Sequence, residues 1–314
     1  MHARQARILL LLALLIVAPG PSSAAPASSD VYLIDTHSQV EGQEVNTVIQ
    51  VMDRFGVYRT VLSAIGDLDP SRVADLAKQF PGRIIPAVTT KGRGYVGGDP
   101  GEYYGRLASQ VNSGRFSAMA EVLVYHAQKA GAPEKIVTPD DQRVQTALKY
   151  ALARGWPFIV HIEFAAIGYR DEREKFMRQF EAVLAAHPEH PFLLIHMGQL
   201  HASEVQRLIE AHPNVYFQTS ATVPDLALRS GQPWINLFAG GVLMPEWRRL
   251  FVQYPDRFVF AIDAIGDNFL RPEGYYMRSI RFWRSALGNL PPRVAEAVAH
   301  GNAERLWKLP PKTP

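Results

Sequence analysis

The sequence predicts a TIM barrel, an α/β fold of eight strand–helix units, as a single domain over residues 30–314. Two observations support this fold class. Short apolar runs alternate eight times with helical stretches. The apolar runs are also continuous, which is typical of a parallel sheet covered on both faces. An open doubly wound sheet is the alternative, but the first strand–helix turn lacks the glycine-rich phosphate fingerprint of that fold.

The predicted elements follow one another without a domain boundary. The predicted strands are 31–38, 58–66, 83–90, 116–125, 157–164, 191–198, 214–221 and 257–264. The helical stretches that follow them are 43–56, 71–80, 102–112, 141–155, 171–187, 203–212, 245–254 and 274–287. Gly or Pro marks many turns from a helix into the next strand, as at Gly56 and Pro213. The C-terminal residues 291–309 predict two helices with a break at Gly301, packed across the outside of the barrel.

Residues 1–24 have the features of a secretory signal peptide. Arg4 and Arg7 precede an apolar run at 8–18, and small residues suited to cleavage after Ala24 or Ala27 follow. The run is too short for an ordinary membrane span. We therefore expect a periplasmic or secreted protein without a stable membrane span after signal removal; an uncleaved anchor is the alternative.

Charge and cysteine content narrow the classes of function. Loss of the two signal-peptide arginines leaves 31 basic and 30 acidic residues, a net charge of +1. No basic stripe is present, so we expect no nucleic-acid partner. The chain has no cysteine, which excludes disulfides and thiolate metal ligands. About 290 residues can still bury a large core without such cross-links.

The first predicted strand, VYLIDTHSQ, ends in polar side chains. Strict alternation along a strand would place Val31, Leu33, Asp35, His37 and Gln39 on one face. Tyr32, Ile34 and Thr36 would take the other face. A strand that ends in ligand-type side chains suits the floor of an active site better than a core.

Ligand-type side chains also stand near the ends of other predicted strands. With His37, the set comprises Glu121, His161, His196 and Asp263. Any one of them alone is more simply a core or ion-pair residue, but five at matching positions predict one site at the barrel mouth. Buried carboxylates and imidazoles need compensation by a cation, and nitrogen and oxygen ligands suit Zn, Mn or Fe. Zn is favoured for hydrolysis.

The same residues suggest a reaction. A bound metal would lower the pKa of its water, and Asp263 would hold that water and accept its proton. His126, just past the fourth strand, and Arg170, after the fifth, are predicted substrate contacts. The glycine-rich stretch 92–98 is predicted to be a flexible loop near the site. The segment 232–245 is predicted to be a lid or an oligomer contact.

Six short motifs in order resemble the amidohydrolase superfamily, in its amidohydrolase-related branch of metal-dependent hydrolases. They are D-T-H-x-Q at 35–39, Glu121, I-V-H at 159–161, L-L-I-H-M-G at 193–198, A-I-D-A at 261–264 and G-N-A-E-R-L-W at 301–307. The resemblance implies metal ligands at His37, Glu121, His161, His196 and Asp263. It also implies that Asp263 activates the water and that Glu121 is shared between metals where two are bound.

One position departs from the family pattern, which usually has H-x-H on the first strand. Here the second histidine is Gln39, which offers only a weak carbonyl ligand. One metal per chain is therefore preferred over two.

Three functions stay open at this point. The first is hydrolysis of a small-molecule amide, ester or lactone. The second is non-oxidative decarboxylation or another lyase reaction of an aromatic or keto acid. The third is a non-catalytic exported barrel that has lost part of its metal site.

Overall fold

The computed structural model describes residues 31–128, 133–224 and 235–312, and in these ranges eight barrel strands alternate with helices. Three further two-residue strands, Lys135–Ile136, Phe238–Ala239 and Val242–Leu243, form antiparallel ladders outside the parallel ring. The barrel strands are β1 (Leu33–Val40), β2 (Val57–Ala64), β3 (Ile84–Val88), β4 in two pieces (Ala118–Met119 and Val122–His126), β5 (Phe158–Ile162), β6 (Phe192–Leu194), β7 (Val215–Gln218) and β8 (Phe258–Val259). The helices are α1 (Val48–Phe55), α2 (Ser71–Gln79), α3 (Pro100–Asn112), α4 (Gln142–Arg154), α5 (Arg170–Ala186), α6 (Ala202–Ala211), α7 (Pro245–Gln253) and α8 (Tyr275–Gly288). The predicted signal peptide and residues 232–234 of the predicted lid lie outside the described ranges.

Local sequence signals set several helix ends. The carboxylates of Asp99 and Asp141 accept backbone N–H groups at the starts of α3 and α4. Helices α1 and α4 end at Gly56 and Gly155, whose φ values of 68° and 64° lie in the left-handed region that favours glycine. The helix boundaries therefore follow from capping chemistry that is visible in the sequence.

The strands pair in parallel and in chain order around a ring. One sheet joins β1, β2, β3 and the first piece of β4, and the other joins the second piece of β4 to β5, β6, β7 and β8. Backbone bonds from β1 to the chain after β8 close the ring, including Asp263 N to His37 O at 2.8 Å and Gln39 N to Ala264 O at 2.8 Å. The predicted TIM barrel is confirmed, and the doubly wound alternative is wrong because a doubly wound sheet is open.

The strands separate two apolar cores, as a barrel requires. Phe258, Phe260 and Ile262 pack in the layer between strands and helices, whereas Val259 packs inside the barrel. The predicted alternation along the eighth strand therefore holds at these positions.

The predicted alternation along the first strand is wrong. Leu33 packs outside the barrel and Ile34 inside, so the odd-numbered residues begin on the outer face. Between Asp35 and Ser38 the strand advances three residues while β2 advances two, from Thr60 to Leu62. This bulge changes which residues face inward.

The C-terminal segment also differs from its prediction. A helix at Pro292–Glu296 continues through a π-helical turn at Ala297–Gly301 into Asn302–Leu306, with no break at Gly301. Ala303, Leu306 and Trp307 pack against interior residues such as Ile34 and Val259. The segment therefore closes the amino-terminal end of the barrel instead of lying across its outside, because its apolar side chains complete the interior core.

None of the helices in the described ranges combines the length and apolar character that crossing a membrane requires.

Candidate active site at the barrel mouth

The bulge in β1 separates a structural carboxylate from the site residues. Both oxygens of the buried Asp35 accept hydrogen bonds, from the N–H groups of His37 and Ile262 and from the hydroxyls of Ser38 and Thr60. Burial raises the pKa of Asp35 to about 6, against those hydrogen bonds. Asp35 thus ties β1 to its two neighbouring strands, while His37 and Gln39 reach the mouth.

Glu121 lies at the centre of the site, in the gap between the two pieces of β4. It is 2 % exposed. Its Oε1 accepts from Gln39 Nε2 at 3.2 Å and lies 3.5 Å from His37 Nε2, and Lys91 Nζ also donates to it. Its Oε2 lies 2.6 Å from His161 Nδ1. One carboxylate therefore connects side chains from three other strand ends.

Asp263 lies across the mouth from Glu121. Its Oδ1 is 3.3 Å from His37 Nε2, and its Oδ2 is 3.6 Å from His196 Nε2. The backbone of Asp263 has a φ of 60°, a left-handed conformation that is uncommon for a residue with a side chain. Strain of this kind persists where surrounding contacts hold it, and it clusters at functional sites.

His196 has similar left-handed backbone geometry. The strand ends at Leu194, and His196, Met197 and Gln199 all have φ between 52° and 56°. Ser220, after β7, fixes the imidazole: its carbonyl oxygen lies 3.2 Å from Nδ1 and its hydroxyl 3.1 Å. His196 Nε2 is thereby directed towards Asp263.

His161 lies between two glutamates. Its Nδ1 faces Glu121, and its Nε2 lies 3.1 Å from Glu163 Oε1. Glu163 is fully buried, and its other oxygen accepts the N–H of Ala127 at 2.6 Å. The ring of His126 lies 5.1 Å from the ring of His161, so this histidine stands at the edge of the same cluster.

Electrostatic pairing governs the protonation of the cluster. Burial lowers the pKa of His37, but the charges of Glu121 and Asp263 outweigh burial and raise it to about 9. Burial raises the pKa of Glu121, but Lys91, His161 and His37 hold it well below its ordinary value. The pKa of Asp263 is likewise lowered, against burial, by its hydrogen bond and charge interaction with His37. The carboxylates are therefore ionised and bound to cationic partners.

Two groups of these side chains could hold a metal. His37, Glu121 and Asp263 each offer a ligand atom within 4.8 Å of the others, and so do His126, His161 and Glu163. Imidazole nitrogens and carboxylate oxygens without sulfur fit Zn, Mn or Fe. The donor chemistry of this site therefore fits the metal that the sequence predicts.

The structure brings together six of the predicted site residues: His37, Gln39, Glu121, His161, His196 and Asp263. His126 stands beside them. Arg170 does not join the cluster, because it starts α5, is 88 % exposed and pairs with Glu174.

Sequence reasoning missed Lys91, whose ammonium lies inside the cluster. Its position was a usable signal, because Lys91 follows the third strand by three residues. The role of Glu163 was also missed, although it lies two residues after His161.

A closed parallel barrel with histidines and carboxylates at its mouth defines an α/β barrel whose strand ends could hold a metal. The amidohydrolase family model matches residues 69–309, about three quarters of the sequence, so the chain belongs to the amidohydrolase family. This family is metal-dependent. The non-catalytic interpretation has no support in the comparisons, and a search of curated proteins gives no significant match.

Solved structures share the fold at low sequence identity. One is an uncharacterised TIM-barrel protein from Bordetella bronchiseptica, with 15% identity and a TM-score of 0.55 over 88% of this chain and 99% of that one. A second is a probable 2-pyrone-4,6-dicarboxylic acid hydrolase from Acinetobacter baumannii, with 11% identity and a TM-score of 0.53 over 88% and 99%. A third is 5-carboxyvanillate decarboxylase from Novosphingobium aromaticivorans in complex with manganese, with 12% identity and a TM-score of 0.53 over 90% and 97%.

Proposed function

We propose that this protein is a metal-dependent hydrolase that cleaves an amide, ester or lactone in a small molecule. The observation that carries the proposal is the convergence of three histidines and two carboxylates from five strand ends at one mouth. The residues that would hold the metal are Glu121, His161 and His196, with His37 and Asp263 beside them. A divalent metal there would supply Lewis acidity and lower the pKa of a water molecule.

Asp263 is the proposed proton acceptor in hydrolysis. At 14 % exposure it is the most accessible carboxylate of the cluster, and its lowered pKa keeps it ionised. His37 and His196 each face one of its oxygens, so the carboxylate is fixed in orientation. A fixed, ionised carboxylate at the open side can accept a proton from a water or substrate that enters the mouth.

Zinc is the proposed metal, with manganese or iron as alternatives. Zinc is common in hydrolytic nitrogen and oxygen sites. Manganese is the metal in the solved decarboxylase, which shares only the fold with this chain. The metal identity therefore needs direct elemental analysis.

Decarboxylation of an organic acid is the second candidate, and a cationic cavity beside the site favours it. The cavity has a volume of about 280 Å³ and is lined by Lys91, Arg93 and Lys135, together with Tyr95 and Leu123. None of the described residues that line this cavity is acidic. Lys135 pairs directly with His126 in a short antiparallel ladder. A carboxylate-bearing aromatic or keto acid fits such a cavity by charge and by its apolar walls. These cations replace Arg170 as the proposed anchor for an acid.

The test begins with metal content. We would purify the protein and measure Zn, Mn and Fe per chain, with His196→Ala alongside. We expect about one equivalent in the natural protein and a large loss in the variant. No metal after reloading with Zn or Mn would overturn both candidates.

The loaded enzyme then separates hydrolase from decarboxylase. Panels of lactones, amides and aromatic acids would be assayed for ring opening or bond cleavage and for release of CO₂. Cleavage without CO₂ release supports hydrolysis, and CO₂ release from a carboxylate substrate supports the second candidate. Arg93→Gln should raise KM for acidic substrates, whichever reaction the enzyme catalyses. Arg170→Gln is the matched control and should leave KM unchanged.

Export by the signal peptide at 1–24, with a periplasmic or secreted location, remains part of the proposal. Amino-terminal sequencing of the mature protein from the native host would give the cleavage site. A mature chain that begins at Met1 would contradict it. Self-association also remains a prediction, and sedimentation would measure it.

A further inference from the structure

The side-chain amide of Gln39 fills the space between three candidate ligands. Its Nε2 lies 3.1 Å from His37 Nε2, 3.2 Å from Glu121 Oε1 and 3.4 Å from Asp263 Oδ1. These residues form one of the two groups that could hold a metal. An amide nitrogen donates protons and offers no lone pair to a metal. Gln39 therefore donates hydrogen bonds to Glu121 and Asp263, lies beside the ring of His37, and is not a fourth ligand.

The carbonyl of Gln39 is also engaged. Its Oε1 accepts from Lys91 Nζ at 3.1 Å, and the same ammonium donates to Glu121 Oε1. The hydrogen-bond partners fix which end of the amide is which. The opposite orientation would place the carbonyl against two carboxylates and the NH₂ group against an ammonium.

Lys91 supplies a fixed positive charge where the family pattern would supply a metal. Its side chain is 23 % exposed, whereas Glu121 is buried. A buried carboxylate is strongly destabilising unless a cation compensates it. Lys91 neutralises one oxygen of Glu121, while His161 faces the other.

We propose that Gln39 and Lys91 together replace the metal on the first-strand side of the centre, so that the protein binds one divalent ion. This inference rests on the proposed function and deepens it. Glu121, His161 and His196 would hold that ion, on the side of Glu121 that faces His161 and away from Lys91. Gln39 and Lys91 are positioning residues that hold His37, Glu121 and Asp263 in place by hydrogen bonds and charge.

The experiment measures metal stoichiometry by equilibrium dialysis against ZnCl₂ or MnCl₂ and elemental analysis of the full chain. We expect about one equivalent in the natural protein and about two in Gln39→His/Lys91→Met, which restores a histidine pair and removes the ammonium. The Gln39→His variant alone should still bind about one equivalent of metal, because the Lys91 ammonium still occupies the space beside Glu121 where a second ion would lie. Circular dichroism and the thermal midpoint establish that each variant folds.

A second variant keeps the test decisive if the double variant does not fold. In Lys91→Met the repulsion between ammonium and ion is gone, so the Kd for the single metal should fall at least about tenfold. Lys135→Met is the matched control, because Lys135 lines the same cavity and has no contact with Glu121. Its Kd should match that of the natural protein.

Two equivalents in the natural protein would overturn the inference, and so would a folded double variant with no more metal than the natural protein. An unchanged Kd in Lys91→Met would also overturn it. No metal in the natural protein with one equivalent in the double variant would support the replacement by Gln39 and Lys91 and contradict the proposed function. No metal in either would overturn both.

Discussion

Two buried histidines at opposite ends of the barrel show how differently the same side chain is used. His37 lies at the mouth between two carboxylates, and their charges raise its pKa to about 9. His190 lies at the other end, against the ring of Phe192 at 5.3 Å, and burial lowers its pKa to about 4. Neighbouring carboxylates therefore favour the charged form of His37, whereas burial favours the neutral form of His190.

The two ends also differ in how they are closed. Trp307 and Leu306 fill the amino-terminal end with apolar surface, while the mouth is held by hydrogen bonds and ion pairs. Loss of packing should therefore reduce stability at one end, and loss of charge should reduce metal binding at the other. The predictions below test that separation.

The largest effect is expected from Glu121→Gln. This change keeps the size of the side chain and removes the charge that His37, Lys91 and His161 contact. We expect metal affinity to fall by about 10³-fold or more, with activity lost in parallel. The fall in affinity is measured as the metal content of the variant after dialysis. Glu189→Gln, an exposed glutamate at the opposite end, is the control, and a full metal equivalent in Glu121→Gln would contradict the assignment.

Trp307→Ala should cause the largest loss of stability at the amino-terminal end of the barrel. Trp307 is 8 % exposed, and its truncation leaves a cavity in the barrel interior. We expect a loss of about 3 kcal/mol in the free energy of unfolding, measured in urea, with metal content unchanged. Arg293→Ala, an exposed change on the same segment, is the control. A loss of metal without a loss of stability would show that the two ends are not separate.

Ser220→Ala should have a smaller effect at the mouth. It removes the hydroxyl beside His196 Nδ1 but keeps the carbonyl oxygen at 3.2 Å. Because groups that orient a ligand contribute modestly to affinity, we expect Kd for the metal to rise about tenfold. Calorimetric titration measures it, with the exposed Ser285→Ala as control. An unchanged Kd would mean that the carbonyl alone orients the ring.

The smallest expected effect is a pH dependence of stability that arises from His190 at the amino-terminal end of the barrel. The folded-state pKa of His190, about 4, lies below its ordinary value of 6.5. The buried neutral imidazole therefore stabilises the fold fully above about pH 6.5, and this contribution is lost as the pH falls towards 4. Compared with His190→Phe, the natural protein should lose about 1 kcal/mol more of its free energy of unfolding between pH 7 and pH 5.5. Thermal midpoints across that range measure it, and parallel curves would contradict it.

The sequence alone determined the barrel and most of the candidate site. Eight continuous apolar runs separated by helices specify a parallel sheet, because strands covered on both faces need no polar alternation. His37, Glu121, His161, His196 and Asp263 could be found because the ends of parallel strands in a barrel meet at one mouth. These features depend on local pattern and chain order.

Only the tertiary structure decided which atoms meet. The bulge at Asp35 depends on pairing with β2 and on the N–H of Ile262, which follows β8, and no local pattern in β1 reveals either. The contact of Lys91 with Gln39 and Glu121 joins three strand ends whose separation depends on barrel closure. Closure of the far end by Trp307 likewise depends on the unfilled volume inside the barrel, a property of the assembled strands and not of the helix that fills it.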